Sequence, residues 1–227
     1  MKKDVVAAAL ENREYLYRYL WRLFAAEPDE ALMALIGSED TIAETALFFG
    51  NDADGMAVQE SLASLAAVYE GSAEDLESLR STYTRFFVGP KAPPVMPWES
   101  SYVETEGLLF QKSTLNVRQA YRDAGFEAAG YPREPDDLIA TELNFMASLI
   151  EESEEALKTE DDEAMAVLFE RQKRFLGEHL CAWLPSYAAK LEVRALSESE
   201  MFYALAARLA AVYCQGDKAV VEELIAG

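Results

Sequence analysis

Apolar residues recur at three- and four-residue intervals along almost the whole chain. Val5, Ala9, Leu16, Leu20 and Leu23 fall on one face of a first helix, which Pro28 stops. Val58, Leu62, Leu65 and Tyr69 make a second stripe, closed by Gly71. Ser72 is placed to cap a following helix that carries Leu76, Leu79, Tyr83 and Phe86. Ile139, Leu143, Met146 and Ile150 form another stripe. Met165, Leu168, Gln172, Phe175 and His179 continue the pattern. Ser197-Glu198-Ser199-Glu200 reads as a capping box ahead of Phe202, Leu205, Leu209 and Val212. No stretch alternates as a strand does, and no repeat of fixed period is present. The pattern predicts an all-α fold, a globular bundle of roughly ten or more helices.

Two stretches interrupt it. Residues 88–101, VGPKAPPVMPWESS, hold four of the eight prolines, and no helix passes through such a run. Residues 125–137, GFEAAGYPREPDD, hold two glycines and two prolines. The expected organisation is an N-terminal helical half over 1–125, a hinge loop over 126–137 and a C-terminal helical half over 138–227, together one compact domain. A hinge between helical halves allows either a monomer or a dimer that exchanges halves. Residues 151–163 carry eight acids and one lysine. They read as a solvated helix end, expected to fray under like-charge repulsion.

The 227 residues are 51% hydrophobic, enough for a core, so the acidity does not imply disorder. Twenty basic against 41 acidic residues leave a net charge of −21. Such a chain repels phosphate backbones, which argues against nucleic acid as partner and for a cationic one. Cys181 and Cys214 form no CxxC pair and sit in apolar helical stretches, which predicts plain burial. The longest apolar run, Ala204 to Cys214, is broken by Arg208, so no membrane span is expected. The N-terminal run from Val5 to Leu10 is too short for a secretory segment, so a cytoplasmic chain is expected.

Catalytic chemistry is sparse. The one histidine, His179, lies on an apolar stripe and reads as a satisfied core residue. A di-iron bundle needs Glu-x-x-His, and Leu176 stands where the glutamate would be. No nucleophile elbow and no Gly-rich loop after a strand occurs, so no metal and no cofactor is expected. An unrecognised carboxylate pair remains as an enzyme alternative. The informative cluster is one of aromatics and acids beside rigid loops: Phe86, Phe87, Pro97, Trp98, Glu99 and Tyr102, then Glu134, Asp136, Asp137 and Glu142. A rigid loop that displays an aromatic makes a binding surface at low ordering entropy.

Four segments carry a resemblance. Residues 83–90, YTRFFVGP, lead to Pro97-Trp98-Glu99-Ser100 and Tyr102. Ser113, Thr114, Val117, Arg118 and Tyr121 follow. Glu134-Pro135-Asp136-Asp137-Leu138 runs on to Glu142, Leu143, Phe145 and Met146. Phe175, His179, Trp183 and Pro185 close the series. In this order they resemble the TorD/DmsD family of redox-enzyme maturation chaperones. The family usually has Asp-His where this chain has Asp137-Leu138, so Leu138 offers an apolar contact in place of a histidine. The resemblance implies a helical chaperone that binds the twin-arginine leader of a precursor molybdopterin oxidoreductase, of the dimethyl-sulfoxide or trimethylamine-oxide reductase type. It implies that the client is held until its cofactor is inserted. A nitrate-reductase-type assembly chaperone acting on a non-exported subunit is the nearest alternative. On the leader reading the acids, partly shielded beside the aromatics, would face the arginines, and the aromatics would take the leader's apolar stretch.

Overall fold

A computed structural model describes residues 2–50, 52–70, 73–103, 112–128 and 135–227. The chain runs through α1 (Lys3–Ala25), α2 (Glu30–Ile36), α3 (Glu39–Phe49), α4 (Ala53–Glu70) and α5 (Ala73–Tyr83). A π turn follows at Thr84–Val88. Then come α6 (Ser100–Val103), α7 (Lys112–Asp123), α8 (Ile139–Thr159) and α9 (Asp162–Phe175). A second π turn, Leu176–Leu180, leads into α10 (Cys181–Arg194) and α11 (Glu198–Ala226). Among the described residues the extended pairing is a single antiparallel bridge, Trp98 to Leu138. The all-α expectation holds.

The helix starts follow local chemistry. The side chains of Asp29, Ser38, Asp161 and Ser197 each accept the N–H of the residue three positions on. Glu200 closes the expected capping box but reaches one residue further back, to the Leu196 N–H at 2.6 Å. Ser72 and Glu134 lie outside the described residues, as does half of the loop expected as a hinge.

The expected fraying at 151–163 is corrected. The helix stays intact to Thr159, and the chain breaks at Glu160, whose φ of 57° and ψ of 37° are left-handed. Asp161 then caps α9. Burial outweighs the local repulsion: Ser153 and Ala156 face the core, and the Gln172 amide donates to the Leu149 carbonyl at 3.2 Å and to Ser153 Oγ at 2.8 Å. Like-charge pairs cost only about 0.2–0.5 kcal/mol each.

Helix α1 packs along α8, α10 packs along α11, and α11 also meets α4 and α9. The stripes read from the sequence supply the core, with Leu16, Leu20, Leu62, Leu143, Met146, Phe202 and Leu209 all buried. One buried ion pair ties the chain's ends. Arg13 donates from Nε to Asp217 Oδ1 at 2.5 Å and from Nη2 to Oδ2 at 3.0 Å, and the Tyr17 hydroxyl donates to the same Oδ2 at 2.8 Å. Cys214 is buried and Cys181 half-buried, both free, as their apolar surroundings suggested.

Candidate functional site

The proline-rich loop is fastened to the start of α8 by main-chain bonds. The Ile139 N–H donates to the Pro97 carbonyl at 3.1 Å, and the Glu99 N–H donates to the Asp137 carbonyl at 3.0 Å. Pro97 has no N–H, so it serves this pairing through its carbonyl alone. The Asp137 carboxylate accepts the Ser100 N–H at 2.9 Å and so caps α6. These bonds set Trp98 and Leu138 opposite each other, both half-buried. Tyr102 donates its hydroxyl to the Met96 carbonyl at 2.8 Å and lays its ring on Trp183 and Tyr187, at centroid distances of 5.4 and 6.0 Å.

Under this apolar edge lies a layer of buried acids, held from α7 and from the continuous helical stretch of the second π turn and α10. Glu99 Oε2 lies 2.9 Å from His179 Nδ1. Trp183 Nε1–H donates to Glu142 Oε2 at 2.9 Å. Arg118 on α7 grips Asp136 Oδ2 from Nε at 2.7 Å and from Nη2 at 2.6 Å, and the Tyr121 hydroxyl donates to the Asp136 carbonyl at 2.9 Å. Burial raises the Glu142 carboxyl well above the usual range, and the charges of Glu99 and Asp137 push it the same way. Burial also raises the Tyr121 hydroxyl, helped by Glu142 and Asp136. Ser100 Oγ, Asp137 Oδ1 and Glu142 Oε1 are buried here without a hydrogen-bond partner. Among the described residues no cluster of metal-ligating side chains is present.

The structure therefore gathers Pro97, Trp98, Glu99, Tyr102, Asp136, Asp137, Leu138 and Glu142 into one junction. Phe86 and Phe87 belong elsewhere: their rings pack with Tyr203, and Phe87 also meets Tyr83 and Phe24. The picture of shielded but reachable acids is corrected. Glu99, Asp136, Asp137 and Glu142 are buried and answered from within, because a carboxylate removed from water needs a partner or a proton. The reading of His179 as a satisfied core residue holds, and Glu99 is what satisfies it. Sequence reasoning assigned no role to Arg118, Tyr121 or Trp183. The usable signal was spacing: His179, Trp183 and Tyr187 stand at i, i+4 and i+8, which puts three polar-tipped rings on one buried helical face.

A helical bundle whose buried polar groups pin one loop, and whose outer edge at that loop is half-exposed and apolar, is a binding scaffold. The chain belongs to the family described as the nitrate reductase delta subunit, whose model matches residues 51–189 and so encloses the entire junction. It is similar to the chaperone protein TorD of Vibrio parahaemolyticus, 27% identical over 214 residues, which cover 94% of this chain and 96% of that protein. TorD of Vibrio cholerae is 28% identical over 221 residues, covering 95% and 94%. The Tat proofreading chaperone DmsD of Salmonella typhimurium is 38% identical over 92 residues, 40% of this chain and 44% of the relative. The likeness to TorD and DmsD carried by the four sequence segments is thereby borne out.

Proposed function

We propose that this chain is a cytoplasmic assembly chaperone that binds the twin-arginine leader of a precursor molybdopterin oxidoreductase and holds the client until its cofactor is in place. On this reading it is a binder and not a catalyst. The observation that carries the proposal is likeness along nearly the full length to proteins named TorD, with a higher identity over a shorter span to one named as a Tat proofreading chaperone. The family's printed description names a nitrate reductase subunit, so the test must also separate a leaderless client.

The geometry supports a division of labour. Trp98 and Leu138, presented by the pinned loop and the first turn of α8, offer the apolar contact. The acids below them keep that edge rigid. Attraction for the arginines then comes from the net charge of −21 spread over the molecule. Burying about 400 Å² of apolar leader surface contributes roughly 10 kcal/mol at about 25 cal/mol/Å². Association and ordering cost about 4–15 kcal/mol. The balance is a modest affinity, which suits a chaperone that must let go.

The test is affinity capture of the tagged chain from its native cells, with bound proteins identified by mass spectrometry. A precursor oxidoreductase still bearing its twin-arginine leader is the expected catch. A leaderless catalytic subunit would move the assignment to the nitrate-reductase-type chaperone. If no oxidoreductase is captured, even from cells respiring anaerobically, the proposal fails.

A further inference from the structure

Positive charge is scarce in this chain, yet one stretch is nearly free of acids. Between Arg80 and Val103 the sequence carries Arg80, Arg85 and Lys91 against a single acid, Glu99. That acid is buried and engaged with His179. A groove of about 580 Å³ runs between the proline-rich loop of this stretch and the end of α10. Pro94, Val95, Met96, Tyr102 and Val193 are among the residues that line it. The charged residues lining it are Lys190 and Arg194, with no acid among them. Lys190 Nζ sits 4.2 Å from the centroid of the Tyr102 ring. Among the described residues neither Lys190 nor Arg194 forms a direct ion pair; Arg194 is near enough to Glu200 to help hold that carboxyl below its ordinary value, but the direct partner of Glu200 is Arg85.

Beside the groove lie the two most exposed large apolar side chains of the described surface, Val193 at 85% and Leu196 at 92%. Neighbouring exposed apolar residues with a charged rim are the usual mark of an interaction surface. A rim of one sign also selects the partner's sign, because a like charge set against it costs free energy and an opposite charge speeds encounter. A basic leader is therefore the wrong occupant for this groove.

We propose that the groove between the proline-rich loop and α10 is a second docking surface, which receives an acidic amphipathic segment of a partner polypeptide. Its apolar side chains lie on Val95, Met96, Tyr102 and Val193. Its carboxylates meet Lys190 and Arg194. The inference stands on the charge and shape of the groove and does not rest on the leader reading.

The experiment uses two synthetic helical peptides of identical leucine spacing, one with glutamate and one with lysine at every polar position. Binding of each to the full chain is measured by calorimetry at low and moderate salt. The glutamate peptide is expected to bind, more weakly as salt rises, and the lysine peptide to bind at least tenfold more weakly through the groove. The Lys190→Glu/Arg194→Gln double variant should lose at least tenfold for the glutamate peptide, and Val193→Ser should weaken it also. Thermal unfolding checks that each variant folds; if the double variant does not, Val193→Ser and Lys190→Gln serve in its place. A twin-arginine leader peptide, titrated in parallel, should bind the double variant no more weakly than the parent chain, since the variant is three charges more negative, and should not displace the glutamate peptide. Equal binding of both synthetic peptides, unchanged binding by the folded variants, or displacement by the leader peptide would each overturn the proposal. So would concentration-dependent dimerisation that Val193→Ser abolishes, since the occupant would then be a second copy of this chain.

Discussion

Glu142 is enclosed on α8 with Trp183 donating to one oxygen and like charges close by. Its carboxyl is raised well above the unfolded value of 4.5. A group raised in this way binds its proton more tightly folded than unfolded, so its contribution is fully present below pH 4.5 and is lost as pH rises toward the folded value. Glutamine keeps an acceptor for the Trp183 N–H and has no proton to lose. The melting temperatures of the parent chain and Glu142→Gln should therefore approach each other near pH 4.5 and separate above it, with the variant the more stable at pH 8. A constant gap across that range would show that Glu142 is ionised in the folded chain. Trp98 makes the complementary case at the edge of the junction. It is half-buried and held by its backbone, so Trp98→Ala should weaken a twin-arginine leader peptide at least tenfold while lowering the melting temperature by only a few degrees. Equal affinity, measured by fluorescence anisotropy, would remove Trp98 from the binding surface.

At the level of helices, the most exacting contact is the bidentate pair between Arg13 on α1 and Asp217 on α11, both essentially free of solvent. Losing one partner strands a buried charge, and such losses cost about 3–5 kcal/mol. Urea denaturation of Asp217→Ala should show a fall of that order, and one under about 1 kcal/mol would mean the surroundings rehydrate Arg13. The helices themselves were legible in the sequence because each stripe repeats over several turns, and Leu143, Met146 and Ile150 are buried as their spacing requires. The junction's membership was legible in part. Pro97 and Trp98 were found through rigidity and aromatic display, and Leu138 through the family resemblance, but the inward turn of the acids was not found. A carboxylate near a helix start reads equally well as an exposed cap or a buried pin. The choice is made by partners far away in sequence: Arg118 is 18 residues from Asp136, and His179 is 80 from Glu99. The intact end of α8 was missed for a related reason, since the repulsion is local and visible while the clamp from Gln172 is tertiary.

At the scale of the whole molecule, charge has two separable effects on a cationic leader. A carboxylate that touches a guanidinium contributes a short-range, charge-assisted bond. A net charge of −21 contributes a long-range field that salt screens, with a Debye length of about 10 Å at 0.1 M. The structure turns Asp137 inward, where its carboxylate accepts the Ser100 N–H and has no exposed surface. Asp137→Asn keeps an acceptor at that position and removes one charge of the excess. If the long-range field draws the leader in, affinity for a twin-arginine peptide should fall as salt rises, and it should fall with nearly the same slope in Asp137→Asn as in the parent chain. Triple neutralisation of exposed acids on the 151–163 segment, Glu152→Gln, Glu155→Gln and Glu163→Gln, should flatten the slope more than Asp137→Asn does, although these acids touch no part of the junction. A slope that collapses in Asp137→Asn alone would mean the junction opens on binding and offers this carboxylate to an arginine directly. The acid layer would then be a latch that the leader releases, in place of a floor on which it rests.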